Sequence, residues 1–249
     1  MTIFGYALEF SELVSLAIIG MLVGMSKGGV HGAGMIAVPM LATLFGGKNS
    51  TGLMLPLLIM ADVFGVTYYH RHTQWSHLRK LLPSAFIGIV LGTLTGDYID
   101  DETFKLIMGI IIFVSLGIML YLEGKKSEDI PSHKAFAIGT GVAGGFTTMV
   151  GNLAGSVMAL YLLTVRLPKN QFIGTAAWFF LMVNVLKVPF HVFAWKTITL
   201  NSFLLDLCLL PLIAFGAFKG IMIVKRIQEK WYRYFIMIMT LIAAVFMIL

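Results

Sequence analysis

Long apolar runs alternate with short polar or glycine-rich breaks along nearly the whole chain. A helix that crosses a bilayer needs about 20 apolar residues, and six of the runs come close to that length. These six runs cover residues 52–69, 81–97, 104–122, 172–194, 203–218 and 232–249. The pattern therefore predicts six spanning helices.

Four further apolar runs are shorter, and they occur as adjacent pairs. The runs are 13–25 with 33–46, and 134–149 with 153–165. A helix of 13 residues rises only about 20 Å, whereas the hydrocarbon core is about 30 Å thick. We therefore expect two re-entrant or broken-helix hairpins, at 13–46 and 134–165, with tips at Ser26–Gly32 and Val150–Asn152.

An internal repeat relates the two hairpins. A shift of 121 residues aligns Gly20 with Gly141, Gly24 with Gly145, Gly34 with Gly155 and Lys48-Asn49 with Lys169-Asn170. One inserted residue later, the shift becomes 122 and aligns Asp62 with Asn184. The sequence thus predicts two repeats, 1–122 and 134–249, joined by a cytoplasmic linker, 123–133. Because each repeat holds one hairpin and three spanning helices, the second enters the membrane inverted.

Composition and charge agree with a membrane protein and set its orientation. Of the 249 residues, 58% are hydrophobic and 12% charged, about half the charge of a soluble domain. Soluble enzymes and nucleic-acid-binding proteins are therefore excluded as first interpretations. Cytoplasmic loops carry most Lys and Arg. The orientation that places thirteen of the eighteen basic residues inside puts both termini outside.

Inverted repeats with interrupted helices are typical of secondary transporters, which bind substrate near the midplane. A hairpin tip at that depth must line a polar cavity or be buried in protein. The second arm of each hairpin begins at its tip, and helix N-termini favour anions. The candidate ligands in the first tip are Ser26, Lys27, Gly28, Gly29 and His31.

The second tip supplies neutral donors, from Thr147, Thr148, Gly151 and Asn152. No acidic residue occurs in either tip, so the pair predicts a site for a small oxyanion. Simpler roles stay open: helix packing for the glycines, extension to the interface for Lys27, a structural hydrogen bond for His31, and a helix cap for Asn152.

Four further polar residues lie within predicted spans, namely Asp62, Asn184, Lys187 and His191. The repeat makes Asp62 and Asn184 equivalent, so both are expected to face the central cavity in a coupling or gating role. Asp62 either takes part in proton coupling or pairs with Lys27. Lys187 and His191 lie one helical turn apart, and Lys187 either attracts anions or reaches the outer surface.

Other chemistry has little support in the sequence. The chain has one cysteine, and no nucleophile–base pair or set of metal ligands converges at membrane depth. We therefore expect neither enzymatic activity nor a metal or cofactor. The expected partners are a small anion, protons as a candidate second substrate, and the lipid bilayer. Nucleic acid is not expected, and a homodimer stays open.

The glycine-rich segment from Gly24 to Pro39, with its second copy from Gly141 to Gly155, resembles the sulfite exporter (TauE/SafE) family of membrane permeases. The resemblance runs over nearly the whole chain. The family's usual glycine run is interrupted here, reading Gly28-Gly29-Val30-His31-Gly32. The resemblance implies transport of sulfite, sulfonates or related sulfur-containing anions.

The combined expectation is a secondary transporter that moves a small sulfur-containing oxyanion, sulfite or an organosulfonate, across the inner membrane. Export driven by the proton gradient and alternating access around the two tips complete this hypothesis. The alternative is a passive anion channel with the same inverted-repeat plan.

Overall fold

The computed structural model describes residues 2–96, 98, 100–123 and 134–248. It is all-α apart from a short hairpin of β1 (Thr2–Ile3) and β2 (Tyr6–Ala7). The described helices are α1 (Phe10–Lys27), α2 (Ala33–Phe45), α3 (Gly47–Tyr69), α4 (Trp75–Thr95), α5 (Asp101–Glu123), α6 (Lys134–Gly151), α7 (Ala154–Thr164), α8 (Lys169–Pro189), α9 (Leu200–Cys208), α10 (Leu210–Arg226) and α11 (Glu229–Ile248). The predicted linker 123–133 lies outside the described residues, except for Glu123.

Four described stretches are long and apolar enough to cross a membrane: Phe10–Lys27, Gly47–His72, Trp75–Thr95 and Lys169–Ala194. A fifth is added if α9 and α10 count as one bent span. Large apolar side chains such as Leu94 and Phe218 are exposed on the outside of the helices, where only a lipid environment favours them. The chain is a multi-pass membrane protein.

Each of the two hairpins is a pair of helices of unequal length. The first arm, α1, has 18 residues rather than the 13 expected for 13–25, so it rises about 27 Å. It starts earlier because Glu9 and Glu12 form a capping box. The second arms, α2 and α7, have 13 and 11 residues. Each pair is therefore one long arm and one short arm, broken at a tip.

Backbone geometry explains both breaks. In the first tip, Gly29 and Gly32 have φ of 106° and 96°, which glycine adopts at little cost. In the second tip, Asn152 has φ of 55°, a left-handed conformation that asparagine tolerates better than most residues. The predicted tips therefore end one helix and redirect the chain into the next.

The expectation of one continuous span at 203–218 is wrong. The segment is divided between α9 and α10, which meet at an angle of 49° around Leu209. Pro211, in the first turn of α10, has no N–H to bond the Leu207 carbonyl, and its ring crowds that oxygen. The span predicted at 81–97 also begins earlier, at Trp75 in α4.

The helices pack as an interleaved set. Among the described helices, α1 packs on α10, α6 on α4, and α3 on α8. One hydrophobic cluster is centred on α1, α2, α3 and α9, and the other on α4, α6, α7 and α8. The boundary between these two clusters passes between α3 and α8.

Glycines bring the paired helices into close contact. A Cβ placed on Gly24 of α1 would lie 2.1 Å from the Ile213 carbonyl oxygen of α10. A Cβ on Gly145 of α6 would lie 1.9 Å from the Ala85 carbonyl oxygen of α4. Small residues allow such backbone approach in membrane bundles, so these glycines have the packing role that the sequence left open.

Gly145→Ala is predicted to destabilise the protein, because the new methyl group must push α6 away from α4, and such overpacking costs about 1–3 kcal/mol. The matched control is Gly139→Ala in the same helix, where nothing lies within 4 Å of an added Cβ. The control should be neutral or slightly stabilising, since alanine favours helix. Thermal unfolding in detergent measures both, and equal melting temperatures for the two variants would contradict the packing role.

Candidate functional site

A small cavity lies between the two hairpin tips, against α3 and α8. Its volume is about 50 Å³, more than the roughly 10–15 Å³ that one water requires. The polar lining comes from Ser26, Lys27, His31, Thr148, Asn152 and Asn184, with backbone from Gly29 and Gly155. The cavity therefore has room for a small ion bound by the polar groups that line it.

An ion pair anchors the first tip. The Lys27 Nζ lies 2.9 Å from Asp62 Oδ1 of α3, with side chains 8% and 0% exposed. The amide of Asn184 on α8 donates to the other Asp62 oxygen at 2.7 Å. Lys27 Nζ also lies 4.0 Å from the centre of the Phe180 ring, a favourable cation–π distance. The first tip is thereby bound to both central helices.

Two tyrosines hold the backbone of this tip. Tyr69 donates to the Gly28 carbonyl at 3.3 Å, and Tyr232 donates to the Gly29 carbonyl at 2.8 Å. A Cβ on Gly28 would lie 2.4 Å from the Ala217 carbonyl oxygen of α10. Gly28 therefore packs against α10 and does not line the cavity, whereas Gly29 does.

A second buried ammonium organises the other tip. Lys187 of α8 is fully buried, and its Nζ donates to the Thr148 carbonyl at 2.9 Å, the Thr148 hydroxyl at 3.0 Å and Asn152 Oδ1 at 2.5 Å. The Asn152 amide nitrogen donates to the Thr51 carbonyl of α3 at 3.0 Å. Asn152 thus links the second tip to both central helices, and both ends of its side chain are occupied.

The charges around the cavity do not cancel. No carboxylate among the described residues lies within salt-bridge distance of Lys187, and its three acceptors are neutral oxygens. Counting Lys27, Asp62 and Lys187, two ammonium groups face one carboxylate. Three oxygen acceptors around the Lys187 nitrogen suit its protonated form, which has three hydrogens to donate. With that group protonated, the described surroundings of the cavity carry an excess positive charge, which favours an anion.

His31 links the two tips directly. Its Nε2 donates to the Gly155 carbonyl at 3.1 Å. Its ring meets Phe172 edge to face, with centroids 5.3 Å apart. The structural hydrogen bond that the sequence left open is present, and the ring still lines the cavity.

The remaining candidates lie away from the cavity. Thr147 donates to the Gly144 carbonyl within α6, and Gly151 is buried at the end of that helix. Asp62 and Lys187 lie one hydrogen bond behind the lining. His191 is farther along the chain, where Nδ1 lies 2.8 Å from the Thr197 hydroxyl and the ring meets Trp195 edge to face.

Several backbone N–H groups at the tip turns are bonded within the turns themselves. The backbone N–H of His31 donates to the Gly29 carbonyl at 2.9 Å, and that of Asn152 to the Thr148 carbonyl at 3.0 Å. The N–H groups of Ala33 and Met35 are also bonded locally. These four N–H groups are thus satisfied internally by the tight turns, and binding of an anion by other backbone donors at the tips stays a prediction.

Some lining residues carry no signal in the sequence. Phe180, one of 19 phenylalanines, contributes the ring beneath Lys27. Gly155 was detectable, because the repeat aligns it with Gly34, and both glycines line the cavity. Thr51, which accepts from Asn152, could be found only from the packing of α3 on the second tip.

Comparison with known families gives one match. The model of the family described as sulfite exporter TauE/SafE matches residues 16–247, nearly the whole chain. The match includes both tips and all the helices around the cavity. No curated protein matches the chain, and no solved structure does.

Asp62→Ala is predicted to lower the free energy of unfolding by about 3–5 kcal/mol, because it leaves the buried Lys27 ammonium without its carboxylate. The double variant Lys27→Met/Asp62→Ala should recover most of that loss, since no buried charge is left unpaired. Thermal unfolding of the four proteins in detergent measures the coupling.

Asp206→Ala is the matched control for this cycle. Asp206 is almost as buried as Asp62, but within the described part of the chain it forms no ion pair, so its removal leaves no buried ammonium unpaired and should cost far less. Additive effects of Lys27→Met and Asp62→Ala would contradict the paired arrangement.

Proposed function

The chain belongs to the sulfite exporter TauE/SafE family, which implies a membrane transporter of sulfite or related sulfur anions, and on this premise we propose that its central cavity binds the transported anion. The substrate is a small oxyanion, with sulfite as the first candidate. Export is driven by the proton gradient, and the two hairpin tips give alternating access to the cavity from either side of the membrane.

The excess positive charge beside a cavity of about 50 Å³ carries this proposal. Lys27 lines the cavity, and its ion pair with Asp62 leaves two ammonium hydrogens for other acceptors. Lys187 adds a charge that no described carboxylate neutralises. A small anion in the cavity would neutralise this positive charge, whereas a cation would be repelled.

Thr148 transmits the charge of Lys187 to the anion. Because its hydroxyl oxygen accepts from Lys187, the O–H hydrogen is free to point into the cavity, which Thr148 lines. Hydrogen bonds assisted by a charge are about twice as strong as neutral ones. Asn152 positions Lys187 through its amide oxygen. Its amide nitrogen donates one hydrogen to Thr51 and carries a second that can reach an anion in the cavity, which Asn152 lines.

Inverted repeats at 1–122 and 134–249 are part of the proposal, and the helix contacts support them. Under the predicted alignment α1 is equivalent to α6 and α10 to α4, so the pairs α1–α10 and α6–α4 are exchanged by one two-fold operation. The equivalent residues Asp62 and Asn184 contact each other, as expected beside such an axis. The predicted inner-membrane location and outside termini follow from the same scheme.

Asp62 is the proposed coupling group. Protonation would remove its negative charge and weaken its hold on Lys27, so the first tip would be released from α3. A proton and an anion bound to neighbouring groups would then travel in a coupled cycle. The neutral Asn184 at the equivalent position cannot titrate, which assigns the proton to one repeat.

Lys187→Met is predicted to weaken sulfite binding at least tenfold, which is about 1.4 kcal/mol, because the site loses its unbalanced charge. The matched control is Lys219→Met on α10, where the ammonium lies over the Phe215 ring away from the cavity. Calorimetric titration of sulfite into the purified proteins makes the comparison. Equal affinities for the two variants would exclude the cavity as the anion site.

Proteoliposomes under an imposed pH gradient are predicted to accumulate sulfite against its concentration gradient. Asp62→Asn should abolish accumulation and retain downhill flux, because the amide keeps a hydrogen-bonding partner for the tip but does not titrate. Sulfite flux without accumulation in the wild-type protein would instead indicate the passive channel.

A further inference from the structure

A second, larger cavity opens near the ends of α7, α8 and α11. Its volume is about 540 Å³. Its charged lining consists of Arg166, Lys169, Lys230 and Arg233 with one acidic residue, Glu229. These basic residues belong to the loops that the charge distribution assigns to the cytoplasmic side. We name this cavity the basic vestibule.

Helix ends hold two of these cations in place. The Lys169 ammonium donates to the carbonyls of Val224 and Ile227, at the end of α10. Arg233 donates to the Leu163 carbonyl at the end of α7. A cation at a helix C-terminus is favoured by the helix dipole, so the positive lining of the vestibule is built into the fold.

Two aromatic residues separate the vestibule from the central cavity. Phe172 and Tyr232 line the vestibule, and their rings meet edge to face with centroids 5.8 Å apart. On the other side, Phe172 contacts His31 and Tyr232 donates to Gly29, and both partners line the central cavity. Phe172 backed by His31, and Tyr232 backed by Gly29, thus form the wall between the two spaces.

We propose that Phe172 and Tyr232 form the gate through which the anion passes between the basic vestibule and the central site. The inference rests on the proposed transport function and adds its route on the basic side. In this structure the gate is closed, because both side chains are almost completely buried. The vestibule concentrates anions at the gate and repels cations.

The contacts that close the gate are easily reversed. Tyr232 is held to the first tip by one neutral hydrogen bond, and Phe172 by edge-to-face ring contacts. Rotation of the two rings would open the wall without breaking an ion pair of the central site. Since Gly29 carries the bond to Tyr232 and also lines the cavity, movement of the tip and opening of the gate are coupled.

Cysteine accessibility tests the gate. The background is Cys208→Ser, which removes the one native cysteine, and the reporter is Ala176→Cys, on the cavity lining. A negatively charged, membrane-impermeant methanethiosulfonate is applied to vesicles from the face that carries Arg166 and Lys169. Phe172→Ala should accelerate labelling at least tenfold, and Tyr232→Phe, which loses only the hydroxyl, about threefold. Labelling from the opposite face should be unchanged.

Phe136→Ala is the control for general loosening. Phe136 stacks on Tyr161 with centroids 5.9 Å apart and lines neither cavity, so labelling should stay at the background rate. The gate is overturned if neither Phe172→Ala nor Tyr232→Phe accelerates labelling, or if Phe136→Ala accelerates it equally. The readout needs no sulfite. Faster labelling in a protein that does not transport sulfite would support the gate and reject sulfite as the substrate. Sulfite transport with no change in labelling would support the substrate and reject the gate.

Discussion

The burial of the Lys27 ammonium constrains everything around it. An unpaired charge at membrane depth is costly, so the first tip must end where Asp62 can meet it. That requirement places α1 against α3, where a Cβ on Gly65 would lie 2.8 Å from the Lys27 carbonyl oxygen. Asn184 completes the carboxylate's hydrogen bonds and fixes α8 opposite α3. One ion pair thereby assembles the tip and both central helices.

Lys187 is also buried, but its partners differ from those of Lys27, and this difference determines the charge of the site. With the predicted offset, Lys27 is equivalent to Thr148, and Lys187 to Gly65. Under the proposed repeat, each contact between a tip and a central helix therefore contains one lysine. The lysine stands on the tip in the first repeat and on the central helix in the second. The first lysine meets a carboxylate, and the second meets only neutral oxygens among the described residues. Under the proposed repeat, one plan used twice therefore gives an asymmetric distribution of charge around the cavity.

Sequence patterns predicted what depends on local composition. Apolar run length located the spans at 52–69, 81–97 and 172–194 but took α1, which is long enough to cross the membrane, for a short arm. The glycines and polar residues located both tips. The break at Leu209 was also legible, because Pro211 stands in the middle of the predicted span. The Lys187 network was not, since its partners lie 35 and 39 residues away along the chain and only tertiary packing brings them together. Phe172, Phe180 and Tyr232 likewise look like ordinary apolar residues until the helices are assembled.

The interleaved packing determines which movements of the helices break few contacts. The repeats 1–122 and 134–249 cannot rock as separate halves, because α1 packs on α10 and α4 on α6. The natural division is the boundary between the two hydrophobic clusters. Lys27 and Asp62 lie on helices of one cluster, and Thr148 and Lys187 on helices of the other, so a movement along this boundary keeps both lysine contacts intact.

The Lys27 ammonium reaches across this boundary to the Phe180 ring, and single hydrogen bonds between described residues also cross it. They join Asn184 to Asp62, Asn152 to Thr51, His31 to Gly155 and Tyr232 to Gly29. Each contributes about 1 kcal/mol, rising to about 3 kcal/mol where a carboxylate accepts. An anion that supplies new acceptors at the boundary can offset such losses as they occur. The lysine contacts thus stabilise the helices within each cluster, and the hydrogen bonds between the two clusters determine how readily the cavity opens.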